Sequence, residues 1–343
     1  MDLLPSSEQD EIISSAAQFL LGTLPVTRTR ELIGDASNVD AKAWTLAAEL
    51  GWFALGLPEE VGGVGCGLTD EALVFREIGR ALASGPFLST TLAARVAAFA
   101  GDADLAASVA GGQQVALGLL GVGATIDPGS GTVDGDLHLV DAAEADLVLV
   151  PGADMTSLVA LADLEEVVSV ECIDPTTRLS RGTASRVRPV VSVTSEVDPV
   201  SRRGGVLAAA SLTGIAEATR DISAAHAASR VQFDRPIGVN QAVKHACADM
   251  AVRAELAWAQ TLFAAVTTDE HREDAEFHAL GAKVVGADAA ERNAAATVQV
   301  LGGMGFTFEH DANLYLKRAY VLGYAFGDTR DALSRLIRLP AAL

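Results

Sequence analysis

Basic residues are scarce: 25 Lys plus Arg stand against 45 Asp plus Glu in 343 residues, a formal net charge of −20. A balance this acidic argues against nucleic acid and anionic membrane surfaces as partners, although locally gathered basic groups can still meet a small anion. Aromatics make up only 5% of a chain that is 50% hydrophobic, so small aliphatic side chains must fill the interior. The three cysteines, Cys66, Cys172 and Cys247, lie far apart and form no CxxC pair. Idle thiols in a reducing, cytoplasmic setting are expected. Six scattered histidines show no HxxxH or HExxH spacing, so no metal site is expected. The apolar run Phe19-Leu20-Leu21 stops at Gly22, far short of the ~20 residues that span a bilayer. Met1-Asp2-Leu3-Leu4-Pro5 lacks the basic-then-apolar order of a secretory leader. No GxGxxG or P-loop occurs, which removes the commonest nucleotide cradles.

The length suits two or three domains at about 150 residues each, and the texture changes twice. Up to about Gly101 the periodicity is helical: Ile12, Ile13, Ala16, Phe19 and Leu20 recur at helical steps, and Ala41–Leu50 is a second helix ended by Gly51. A Pro/Gly-punctuated loop, Leu57–Gly65, follows. Thr69 reads as the N-cap of a helix that buries Val74, Ile78, Ala81 and Leu82 and turns Arg76, Glu77 and Arg80 outward. Between Gly111 and Val197, Val115–Leu120, Thr132–Val140, Ala145–Val150, Ser157–Leu161 and Val167–Ile173 read as strands of a small antiparallel domain, with Leu137 and Leu139 alternating against Asp136 and His138. Long helical segments return at Arg202–Ser229, Gln241–Thr268, Arg272–Leu301 and Asp328–Leu339, the last stopped by Pro340, with a shorter helix around Asp311–Arg318. The expected class is α+β: an N-terminal helical domain over 1–108, a small middle β domain over 109–198 and a C-terminal four-helix bundle over 199–343.

Two segments carry candidate chemistry. Arg230-Val231-Gln232-Phe233-Asp234-Arg235-Pro236-Ile237-Gly238, followed by Asn240-Gln241, joins two long helices, with Pro236 and Gly238 setting the turn. Arg230 offers a forked donor, Gln232 an amide and Phe233 a ring face, a set suited to a phosphate beside an aromatic system. The plainer reading is a connector whose Arg caps helix carbonyls. Gln299-Val300-Leu301-Gly302-Gly303-Met304-Gly305-Phe306 closes another helix. Its glycines allow close approach of a ligand, or else form a helix C-cap. His310, Glu255 and Asp288 are weaker candidates, and Lys244, Arg253, Lys283, Arg292, Lys317 and Arg318 read mainly as surface ion pairs.

With these motifs the chain resembles the acyl-CoA dehydrogenase family over nearly its whole length. The resemblance rests on Leu50-Gly51-Trp52, Pro58–Gly63 and Glu77-Ile78-Gly79-Arg80, then the Arg230–Ile237 segment, Ala248-Asp249-Met250, and Gln299–Gly305 with Arg318 after it. It implies FAD, an acyl-CoA thioester and α,β-dehydrogenation, in which a Glu removes the α-proton while the β-hydrogen leaves as hydride to the flavin. It further implies that Arg230, Gln232, Phe233, Ile237, Gln241, Gln299, Gly302 and Gly303 contact an FAD shared with a neighbouring chain.

The sequence departs from the family in two places. Nothing between Gly111 and Val197 reproduces the Thr-Glu-Pro loop or the Trp-Ile-Thr strand that cover the flavin. The family's Glu-Gly-Thr base stretch is here Phe326-Gly327-Asp328-Thr329, with Gly327 at the Glu position, and the alternative family site reads Arg203-Gly204-Gly205. Asp328 lies one residue late, a rotation of roughly 100° on a helix, and suits an N-cap. The resemblance therefore implies a subunit of a heteromeric (α2β2) acyl-CoA dehydrogenase, with acyl-CoA as substrate, bulky or steroid side chains included, an electron-transfer acceptor, and a base supplied by a catalytic partner. Two alternatives stay open: a self-sufficient homo-oligomeric flavoenzyme using Asp328, and a redox-inactive acyl-CoA-binding scaffold.

Overall fold

The computed structural model describes residues 4–339. Pro340, expected to stop the last helix, lies outside them. Six helices open the chain: α1 (Ser7–Thr23), α2 (Val26–Glu31), α3 (Ala41–Glu49), α4 (Leu68–Arg80), α5 (Phe87–Phe99) and α6 (Ala103–Ala110). Strands β1 (Val115–Leu120), β2 (Thr125–Ile126), β3 (Val133–Val140), β4 (Leu147–Pro151), β5 (Met155–Ala160), β6 (Glu165–Val170), β7 (Leu179–Val187) and β8 (Val191–Thr194) follow. Then come α7 (Val200–Ser229), the short β9 (Val231–Gln232) and β10 (Arg235–Pro236), α8 (Gln241–Asp269), α9 (Ala275–Leu301), α10 (Gly303–Phe306), α11 (Ala312–Gly323) and α12 (Thr329–Leu336). The order helical, β, helical is the α+β architecture that the texture implied. No helix among the described residues is long and apolar enough to cross a membrane.

Local chemistry sets the helix starts. Ser6 and Gln9 exchange side-chain and backbone hydrogen bonds in a capping box at α1, and Asp40 accepts the Ala43 N–H at 2.9 Å to start α3. Thr69 does not cap α4. That helix begins at Leu68, and the Asp70 carboxylate turns back to accept the Gly67 N–H at 3.0 Å.

The chain folds as two compact units. One takes the residues up to Val26, Ala72–Ala83 and Gly205 onward; the other takes Thr27–Glu71 and Ser84–Gly204. The second unit is built on a sheet of order β6-β7-β3-β1-β4-β5-β8, with β2 paired to β3. Its buried face gathers Val133, Leu137, Leu139, Val148, Val150 and Val159. The sheet is not wholly antiparallel: Val115, Ala116 and Leu117 of β1 pair in parallel with Leu147, Val148 and Leu149 of β4. Sequence reading also missed β2, β7 and β8. β7, Leu-Ser-Arg-Gly-Thr-Ala-Ser-Arg-Val, is too polar to announce itself, and only pairing along β3 orders it. Within this unit Arg203 and Glu71 form a buried ion pair at 2.7 Å.

In the first unit the C-terminal helices form the expected bundle. Leu212, Ile215 and Ala218 of α7 pack with Ala287, Ala290 and Ala294 of α9 and with Leu314, Tyr315 and Ala319 of α11. Ala254 and Ala257 of α8 close on Ala216 and Ala289. Small residues let the axes come close, which is how a chain poor in aromatics fills this core. The Ala72–Arg80 stretch of α4 lies against α7 at Gly79 and Gly214, where an added Cβ would overlap the backbone of Ser211 and of Arg76. Arg76, Glu77 and Arg80 therefore do not face solvent as expected. Arg76 grips Glu217 with two bonds of 2.8 and 2.7 Å, Arg80 adds a third at 2.8 Å, and Glu77 is buried beside them. Burial pushes the Glu77 carboxyl up against the pull of Arg80 and Arg76.

Candidate functional site

α7 ends at Ser229, and the next residues fold back on it. The Ile237 N–H donates to the Arg230 carbonyl at 2.8 Å, and β9 and β10 pair as a minimal hairpin. Its two tip residues, Phe233 and Asp234, have φ of 52° and 63°. Two consecutive positive φ values make the primed type of two-residue turn, normally the province of Asn and Gly. Pro236 and Gly238 do not set this turn, contrary to expectation; they lead into the single helical turn Ile237–Val239. A bulky residue at positive φ is strained, yet the turn holds the Phe233 ring 94% exposed.

The Arg230 guanidinium is exposed and makes no side-chain hydrogen bond among the described residues; only its backbone N–H reaches back, to the His226 carbonyl at 2.8 Å. The capping role that a plain connector would give it is not what it does. Burial, together with the charges of Arg230 and His310, holds the His226 imidazole below its usual value. The Gln232 amide donates to the carbonyl of Val231 at 2.8 Å, Ile237 is half-buried, and Gln241 stands exposed at the start of α8.

The second segment lies at the same end of the bundle. Ile222 of α7 packs against Val298 and Leu301 in the last turns of α9. Gln299 and Gly303 are exposed there, and Gly302 takes φ 63°, ψ −139°, a conformation only glycine adopts easily, to end α9. Gly302 is thus a C-cap, and the capping does not crowd the surface: an added Cβ on Gly302 or Gly303 would meet nothing within 4 Å. An open glycine surface, a forked cation, exposed amides and an outward ring offer donors to the phosphates and a face to the nucleoside half of a dinucleotide, so the chemistry of these residues is compatible with FAD.

The residues considered for proton transfer are otherwise engaged, except Glu255 on the surface of α8. Gly327 has φ 99° and no side chain. Asp328 is the N-cap of α12 and accepts the Asp331 N–H at 2.7 Å. Arg203, at the alternative position, is the buried partner of Glu71. His310 accepts the Ala312 N–H at 3.1 Å, Asp288 pairs with Arg292 at 2.7 Å, and Glu255 is exposed.

The basic residues divide. Arg253 donates to Asn293 Oδ1 at 2.6 Å, Arg318 to the Ala83 carbonyl at 3.0 Å, Lys317 lies over the Phe308 ring, and Lys244 is exposed. Lys283 does not belong on the surface at all: it is 2% exposed and donates to the carbonyls of Gly323 at 2.5 Å and Gly327 at 3.0 Å. Its spacing of four from Ala279 and from Ala287, both buried, was the available signal.

The family model described as acyl-CoA dehydrogenase, N-terminal domain, matches residues 6–108, and the model for the C-terminal domain matches 203–336. Acyl-CoA dehydrogenase FadE34 of Mycobacterium tuberculosis is 35% identical over 313 residues, 90% of this chain, which spans only 44% of that relative's length. Acyl-CoA dehydrogenase IpdE2 of the same organism is 32% identical over 338 residues, 97% of this chain and 98% of the relative. Among solved structures, the ChsE4-ChsE5 complex from Mycobacterium tuberculosis has a TM-score of 0.87 at 24% identity, covering 99% of this chain and 100% of that one. A variant of the Tcur3481-Tcur3483 steroid ACAD has 0.86 at 24%, covering 96% and 97%. At these identities the two structures speak for the fold.

Proposed function

The chain belongs to the acyl-CoA dehydrogenase family, and from that premise we propose that it is the non-catalytic subunit of a heteromeric, FAD-dependent acyl-CoA dehydrogenase. One observation carries the proposal. Where the resembled family places its base, this chain has Gly327 without a side chain and Asp328 turned onto a backbone N–H. Proton abstraction needs a positioned acceptor within hydrogen-bond reach, so the base comes from a partner.

This chain's part is binding. The Arg230 guanidinium would meet the pyrophosphate in a charge-assisted pair, with Gln241 and Gln299 as further donors, Gln232 and Ile237 along the hairpin and Phe233 against the nucleotide. The turn at Gly302 and Gly303 leaves room for close approach. A bound flavin supplies a hydride acceptor for the β-hydrogen. Exposed Val231, Phe233, Phe306 and Phe308 border these donors, and a second chain seated on them would exclude water from the site. A catalytic partner in an α2β2 assembly, an acyl-CoA thioester of a bulky or steroid side chain, an electron-transfer acceptor and a cytoplasmic setting belong to the same proposal, as does the three-domain division at 108 and 198. The complex form of ChsE4-ChsE5 and the description of Tcur3481-Tcur3483 as a steroid ACAD support it.

Flavin content tests the reading. Expressed alone, the chain should purify colourless; co-expressed with a catalytic relative, it should purify in a yellow complex, and Arg230→Ala should lower the flavin bound per complex. Yellow protein from the chain alone would favour the self-sufficient flavoenzyme. Flavin under neither condition would favour the scaffold.

A further inference from the structure

The connector between α11 and α12 is a strained stretch held at both ends. Phe326 and Gly327 are consecutive residues at positive φ, 57° and 99°. For a bulky side chain such as Phe326 this backbone is unfavourable and persists only when its surroundings impose it. Lys283 supplies the imposition. Its ammonium, reaching from the N-terminal third of α9, donates to the Gly323 carbonyl at the end of α11 and to the Gly327 carbonyl just before α12. The two bonds hold both ends of the strained stretch. A cation at a helix C-terminus also meets the negative end of the α11 dipole.

We propose that Lys283 locks this connector in a form only glycine can complete at position 327, so that the place where the family carries its base is closed to a side chain in this chain. The inference rests on the subunit reading for what that place means, but the lock itself is geometric. A Cβ on Gly327 would sit 3.1 Å from Asp331 Oδ2, in a backbone conformation that L residues rarely adopt. A carboxylate there would face Asp331 and Asp328 as like charges. The missing base is therefore not one substitution from restoration.

The charges acting on Lys283 are Asp328, from the start of α12, and Glu291, on its own helix; Asp331 and Glu276 beyond them both pair with Arg335. Burial pushes the Lys283 ammonium down to about 8, with Asp328 and Glu291 pulling it back up. Opening the connector to water would return the amine toward its ordinary 10.5, so between these values opening takes up a proton and becomes rarer as pH rises.

Chymotrypsin reads the lock directly, because Tyr324, 63% exposed, and Phe326 lie inside the connector. In the full-length chain Lys283→Met should raise the rate of cutting at these two residues by about tenfold or more, the scale of leaving two buried carbonyls without their donor; an unchanged rate overturns the proposal. The wild-type chain gives a second reading that needs no variant. Relative to a flexible reporter peptide, cutting should be level below about pH 7, fall about twofold by pH 8 and more than tenfold by about pH 9.5, and a level ratio throughout overturns it. Gly327→Ala and Gly327→Glu should both be cut faster than wild type. A Gly327→Glu chain as resistant as wild type would show that the position admits a side chain and overturn the closure. None of these readings needs flavin, thioester or partner, so a chain that shows the lock yet binds no flavin in any pairing would refute only the subunit reading.

Discussion

Asp328 and Gly327 are neighbours with opposite duties. The Asp328 carboxylate is fixed on the Asp331 N–H, where Asn would serve equally well. Asp328→Asn should therefore leave the melting temperature and the turnover of the complex essentially unchanged, while Asp328→Ala should cost about 1 kcal/mol of stability. Turnover lost in Asp328→Asn with flavin retained would assign the base to this residue after all. The sequence reading set Gly327 at the expected Glu position and suited Asp328 to a cap, and the cap is what the structure has. It did not show Lys283, because a lysine four residues from alanines reads as a solvated residue until a carbonyl is found at its tip.

At the scale of elements, the long helices were legible in sequence: α7, α8 and α9 follow their apolar periods to within about three residues. β7 and β8 were not, because their order comes from neighbours rather than from their own pattern. The outward placing of Arg76, Glu77 and Arg80 failed for a related reason. Polar residues on a helix are solvated only when no second helix lies across them, and here α7 brings Glu217 to meet two arginines. That crossing depends on missing side chains. Gly214→Ala would press a Cβ into the Arg76 carbonyl, and overpacking of this kind costs typically 1–3 kcal/mol, roughly the shift expected in a urea unfolding midpoint expressed as free energy. An unchanged midpoint would mean that α4 and α7 can separate at little cost.

For the whole molecule, the charge of −20 and the exposed apolar groups act against each other in self-association. Val252 and Leu256 stand outward on α8, and Phe233, Phe306 and Phe308 border the candidate binding end of the bundle. Two copies meeting there would carry like charges together, while a less acidic partner would not. Sedimentation of the isolated chain should show a monomer at about 0.02 M salt, with any self-association strengthening toward about 0.2 M as the Debye length shrinks. A dimer already stable at low salt would weigh toward the homo-oligomeric alternative.

The sequence by itself determined the order of helical and β regions, the family, and the glycine at position 327, because these are local patterns of period, spacing and residue type. Only the tertiary structure decided which polar groups are free and which are held. Arg230 is free because the chain folds back on its carbonyl and leaves the guanidinium outside; Lys283, Arg203 and Glu217 are held because segments distant in sequence bring them partners in a place without water. A side chain's availability to a ligand depends on what else can satisfy it, and that is settled by neighbours the linear order does not reveal.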